Sequence, residues 1–189
     1  MEFRELIQKR HSVREFLPDP VDREQLQRMV KAAENAPSSQ NGQPWRFFVT
    51  TSEMRLRLGK VIAQTTIHLS EYMDVLGPAG YEDAAHWYSE LGKAPVLIAV
   101  ASPFAEDELA KLNRHLSVGA AIENLLLAAV DEGLGACNIT YSHWVEDEIA
   151  DLLGVPEEWE VLSVIAVGHP ADVPPAAPAR RPDDTVWLD

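Results

Sequence analysis

The chain has one cysteine, Cys137, in 189 residues, which excludes an intramolecular disulfide framework and fits a reducing compartment. No run of about 18 apolar residues occurs, so no membrane-spanning helix is expected. The first residues, MEFRELIQKRHSVREF, carry no apolar h-region, so a secretory leader is not expected and a cytoplasmic location is. Positive charge is scarce. Sixteen Lys and Arg stand against 30 Asp and Glu, a formal net charge of −14, which argues against nucleic acid as a partner. The common catalytic signatures are absent too: no Gly-x-Ser-x-Gly elbow, no His-Glu-x-x-His, no Walker or Gly-x-Gly-x-x-Gly loop,. The six histidines are scattered without ligand spacing, so no metal site is expected,. Cys137 reads as a small core residue rather than a nucleophile.

What is present suits one domain. Residues 3–9 read as a short helix with Phe3, Leu6 and Ile7 on one face. Asp22 is placed to cap a second helix carrying Leu26, Met29, Val30 and Ala33 at helical spacing. Residues 45–51 read as a strand, residues 53–72 as helical, the GPAG at 77–80 as a break, and residues 81–91 as a short helix. PVLIAVAS at 95–102 is a continuous apolar run of strand length and predicts a buried central strand,. Residues 116–132 form a helix apolar nearly all round, stopped by Gly133-Leu134-Gly135. Residues 136–140 and 161–167 read as two more strands, with a helix at 145–153 between them. Interleaved helices and strands predict α+β or α/β. Beyond Gly168 the prolines disfavour helix.

Two segments are rich in binding groups. In Arg10-His11-Ser12-Val13-Arg14, alternation along an extended backbone puts Arg10, Ser12 and Arg14 on one side, a match to a phosphate dianion or else an ordinary basic turn. In APSSQNGQPW, at 36–45, Ser38, Ser39, Asn41 and Gln43 offer hydroxyls and amides that suit the edge of a heterocycle, or belong to an ordinary polar connection. Binding groups without an acid, base or nucleophile suggest that a cofactor carries the chemistry.

RHSVREF, APSSQNGQPWRFFV, the apolar helix running into GLGACNIT, VIAVGHP and a basic Pro-rich tail occur in that order. Together they resemble the FMN-dependent nitroreductase family over nearly the whole chain. The resemblance implies an α+β nitroreductase-like fold, with a central mixed or antiparallel sheet flanked by helices and a C-terminal arm exchanged in a homodimer. Residues 1–169 would form the FMN-binding domain and 170–189 the arm. It also implies that Arg10, His11, Ser12 and Arg14 bind the flavin phosphate and ring edge. Pro37, Ser38 and Ser39 would lie against the isoalloxazine, often from the partner subunit. Asn41 and Gln43 would brace that loop or touch flavin, and Arg180 and Arg181 would reach the phosphate. Thr140 and Tyr141 occupy the stretch that passes the flavin N5 and O4, where many members carry small glycines. A backbone N–H there would stabilise the reduced ring.

The implied activity is hydride transfer from NADH or NADPH to FMN, then reduction of an oxidised small molecule, a nitroaromatic or quinone, by a ping-pong course. Reductive dehalogenation, flavin fragmentation and flavin storage are the alternatives. Tyr72, Tyr81, Trp87 and Tyr88 are expected either to roof the site or simply to pack. A homodimer is further expected because the 116–132 helix is apolar on more faces than a two-layer monomer covers. The strand-like Thr185-Val186-Trp187-Leu188 is expected to reach over a neighbour and join a sheet edge.

Overall fold

A computed structural model describes residues 2–171 and 185–188. The first helix, α1 (Phe3–Lys9), buries no residue and leads into an extended stretch. Helix α2 (Arg23–Glu34) starts at Asp22, as its cap signal predicts, through a capping box with Gln25, and buries Leu26, Met29 and Ala33,. Strand β1 (Arg46–Thr50) and helix α3 (Ser52–Ala63) follow, then a run of tighter 3₁₀ turns at Gln64–Tyr72. The expected break at 77–80 narrows to one residue. Gly77 takes φ 67° and ψ 172° within α4 (Met73–Glu90), and helix resumes at once with Pro78, which the first turn of a helix tolerates.

Strand β2 (Val96–Pro103) is buried nearly throughout. Helix α5 (Glu108–Asp131) begins eight residues before the apolar run that predicted it. Asp107 caps it by accepting the Ala110 N–H at 2.8 Å, and Arg114 donates to the carbonyls of Pro103 and Phe104. Strand β3 (Gly135–Ile139), helix α6 (Glu146–Leu153) and strand β4 (Trp159–Gly168) complete the fold.

The sheet order is β1-β2-β4-β3 and every strand pair is antiparallel. A parallel bridge from Ser12 to Ala136 adds the N-terminal stretch beside β3. The period of two sorts the core into two layers. Val96, Ile98, Val100, Ile165 and Val167 pack against α2 and α5. Leu97, Ala99, Val164, Ala166, Cys137 and Ile139 pack against Leu58 and Ile62 of α3 and Ile149 of α6. A bulge between Val100 and Ala101 lets Val161 and Val164 share one face,. Cys137 is buried in this second layer, as its core reading predicts. Among the described residues, no helix is long and apolar enough to cross a membrane.

Candidate functional site

The stretch after α1 is held at the open edge of β3. The Val13 N–H donates to the Ala136 carbonyl at 3.0 Å, and the Phe16 N–H to the Gly92 carbonyl at 2.9 Å. Two glycines make this approach possible. A Cβ on Gly135 would stand 2.7 Å from the Val13 side chain, and one on Gly92 would stand 1.8 Å from the Arg14 carbonyl oxygen. Trp87, from the last turn of α4, donates its indole N–H to that same carbonyl at 2.8 Å. Of the aromatic residues expected as a roof, Trp87 is thus a brace for the arginine segment.

Within this stretch the four predicted residues diverge. His11 turns back to the Lys9 carbonyl, 2.8 Å away, at the end of α1. Arg10 pairs with Glu123 of α5, Nε to Oε1 2.9 Å. Ser12 and Arg14 both reach the environment of Cys137, where burial pushes the thiol up against smaller opposing effects of Arg14 and Ser12. Arg10 departs from the expected common side because it ends α1 and meets a carboxylate on the helix beside it. Among the described residues the Arg14 guanidinium has no ion-pair partner.

A wall of tyrosines stands beside Cys137. The Tyr88 and Tyr141 rings lie 5.1 Å apart, and Tyr72 meets Tyr141 edge-on at 5.4 Å. Burial, helped by Cys137 and Tyr141, pushes the Tyr88 phenol up to about 12. It therefore remains a neutral donor throughout the physiological range. Burial also raises Tyr141, with Tyr72 and Glu71 adding to it, and the Tyr141 hydroxyl is buried without a partner. Thr140 is exposed where β3 ends, its carbonyl accepting the His143 N–H at 3.1 Å.

The second predicted segment lies elsewhere. The turn at 38–43 rests on α5: the Ser39 N–H donates to the Ser117 hydroxyl at 3.2 Å, and the Ser38 hydroxyl accepts the Gln43 N–H at 3.0 Å. Gln40, Asn41 and Gln43 all hold positive φ, 54°, 55° and 45°, a conformation that costs roughly 1–2 kcal/mol per non-glycine residue. Such a cost is typical of segments shaped for contact. Asn41 and Gln43 line a cavity of about 810 Å³ with Lys31, Arg46 and Phe47. Pro37 precedes this turn. Within one chain the turn belongs with the α2–α5 layer, whereas Tyr88, Tyr141 and Cys137 belong with the other. Arg180 and Arg181 lie outside the described residues.

Residues 7–169 match the family described as the nitroreductase family. The chain belongs to that family. It is 33% identical to the 5,6-dimethylbenzimidazole synthase of Rhodospirillum rubrum, over 93% of this chain and 85% of the relative. Over 94% and 93%, it is 30% identical to the iodotyrosine deiodinase of Thermotoga neapolitana. The crystal structure of a BluB-like flavoprotein from Clostridium difficile superposes with a TM-score of 0.77 at 28% identity, covering 96% of this chain and 95% of that one. The nitroreductase-like α+β fold, a sheet flanked by helices, agrees with what the motifs imply. Glu123, Gly92 and Ser117 carried no motif. Gly92 had one faint signal, a glycine just past a helix end, and Glu123 had none, since its role comes from its neighbour across α1.

Proposed function

We propose that this nitroreductase-family chain is an FMN-dependent oxidoreductase that takes hydride from NADH or NADPH and reduces a flat oxidised acceptor, a nitroaromatic or a quinone. The observation that carries this reading is the Arg14 guanidinium, which has no ion-pair partner among the described residues, beside Ser12 and next to a tyrosine wall whose Tyr141 hydroxyl is buried without a partner. Those residues fit FMN. Arg14, with Arg10, would hold the phosphate, Ser12 would donate to it or to the ring edge, and the Tyr88–Tyr141 faces would stack against a planar ring or acceptor. Bound FMN would supply the two-electron relay between nucleotide and acceptor. For a nitro group, one NAD(P)H and one proton yield a nitroso group, water and NAD(P)⁺. The neutral Tyr88 phenol would be able to donate a hydrogen bond to a bound ring or acceptor without adding charge,.

The proposal includes a homodimer. The turn at Ser38 and Ser39 and the tyrosine wall lie on different layers of one chain, so a second copy is the natural source of the missing half. Leu109, Leu112 and Leu116 form an exposed stripe along α5, 64%, 54% and 65% accessible, that a second copy would cover. A C-terminal arm from a second copy would need a receptor as well. A groove of about 1280 Å³ beside the outer edge of β1 is lined by Arg23, Lys31, Arg55, Lys60 and Lys93, with Glu34 and Glu90 the acids among the described lining residues. In a chain of net charge −14, that excess suits Asp183-Asp184-Thr185-Val186-Trp187-Leu188 from a partner.

Anaerobic titration with each nucleotide, after FMN reconstitution, tests the activity. Bleaching of the flavin followed by turnover of a nitroaromatic or quinone is expected; no bleaching with either nucleotide refutes it. The identity to the dimethylbenzimidazole synthase favours flavin fragmentation as a second reading. Accumulation of 5,6-dimethylbenzimidazole from excess FMN under NADPH and dioxygen, without nitroaromatic turnover, replaces the first reading with that one. Light scattering on the full chain and on a chain lacking residues 172–189 tests the dimer, which is expected to weaken together with FMN affinity in the truncated form. A full-length monomer binding stoichiometric FMN overturns the shared site.

A further inference from the structure

Arg10, the second guanidinium that the FMN reading assigns to the phosphate, is already engaged. Its Nε lies 2.9 Å from Glu123 Oε1, with the two side chains 23% and 49% accessible. Helix α1 buries none of its residues, and Phe3 and Ile7 remain exposed at 66% and 44%. The pair therefore ties the end of a weakly anchored helix to α5. A carboxylate in that position repels a phosphate dianion and competes with it for the same cation.

We infer that Glu123 is the counter-ion that the FMN phosphate displaces from Arg10, so that cofactor loading exchanges one anion for another and releases the clasp between α1 and α5. The inference rests on the FMN reading. The two arginines then differ in role, with Arg14 a standing receptor and Arg10 a conditional one. Exposed ion pairs contribute about 0.2–1 kcal/mol, so the competition is worth only a few-fold in affinity, weakening further as salt screens it.

Apo protein prepared as wild type and as Glu123→Gln is titrated with FMN and, separately, with riboflavin, which lacks the phosphate, following quenching of flavin fluorescence. Glu123→Gln is expected to bind FMN about two- to fivefold more tightly at low salt, with riboflavin affinity unchanged. In the flavin-free state the same variant is expected to show faster amide exchange across residues 3–9, a readout independent of cofactor. Unchanged FMN affinity overturns the inference, and so does weaker affinity, because Glu123 would then orient Arg10 rather than compete for it. An equal gain for FMN and riboflavin overturns it too, since the effect would not be directed at phosphate. If neither protein binds either flavin, the FMN reading itself fails, and the inference with it.

Discussion

Replacing Gly92 with alanine tests how the end of α4 positions the arginine segment. Gly92 holds φ +57°, and an added Cβ would stand 1.8 Å from the Arg14 carbonyl oxygen and 2.7 Å from its carbonyl carbon. Both obstacles are backbone, so the segment itself has to move. That movement breaks the bond from the Phe16 N–H to the Gly92 carbonyl and the bond from the Trp87 indole to the Arg14 carbonyl. The left-handed backbone costs roughly 1–2 kcal/mol for a residue with a Cβ, and two lost hydrogen bonds cost about 1 kcal/mol each. The sum is about 3–4 kcal/mol, a large part of a typical stability of about 5–15 kcal/mol. At about 2–4 °C per kcal/mol for a chain of this length, Tm should fall by about 6–16 °C. Gly154→Ala supplies the control: it shares a positive φ, +66°, but has nothing within 4 Å of the added Cβ, so only the backbone cost of roughly 1–2 kcal/mol applies. Thermal denaturation of both apo variants, with FMN titration of each, separates contact from conformation. If Gly92→Ala melts within about 2 °C of Gly154→Ala and binds FMN as wild type does, the close approach is not what holds Arg14 in place.

Three further outcomes are expected. Arg14→Ala should weaken FMN binding about 10- to 100-fold and Arg14→Lys should recover part of it, because a charge-assisted bond to phosphate contributes about 1.5–3 kcal/mol and an ammonium lacks the planar fork; equal affinity in the alanine variant moves the phosphate elsewhere. Arg28 grips Glu132 by two contacts, 2.6 and 2.7 Å, and holds its carboxyl below the ordinary value of 4.5. A depressed acid stabilises the fold above its unfolded pKa and loses that contribution as pH falls through the lowered value. Melting curves should therefore show wild type losing its advantage over Glu132→Gln below about pH 4.5, and a constant difference from pH 7 to pH 3 contradicts this. Cys137→Ala should retain turnover, since burial raises the thiol and leaves it a packing group; a loss above about tenfold with flavin bound and the fold intact identifies an active thiol instead.

Much of the fold was legible in the residues alone because its signals are local. The cap at Asp22, the run at 95–102, the apolar spacing of α5 and the glycines after it each act over a few residues, and the strands and helices appear where those signals put them. The start of α5 was not legible because Asp107 caps a stretch rich in polar residues whose leucines, Leu109 and Leu112, are exposed and so show no buried apolar spacing. At 77–80 one backbone reversal at Gly77 sufficed, since Pro78 can open a helix but not continue one. The residue types that the resemblance assigns to a flavin site were equally plain in order along the chain. Their grouping was not, because hydrogen-bond partners and neighbours across a sheet carry no signature at either position. Only the tertiary structure sent Arg10 to Glu123 and Arg14 toward Cys137, made Trp87 a brace, and set the serine turn on the layer opposite the tyrosines. Spacing along a backbone decides which way a side chain starts; what it meets there depends on which distant element the core has packed beside it.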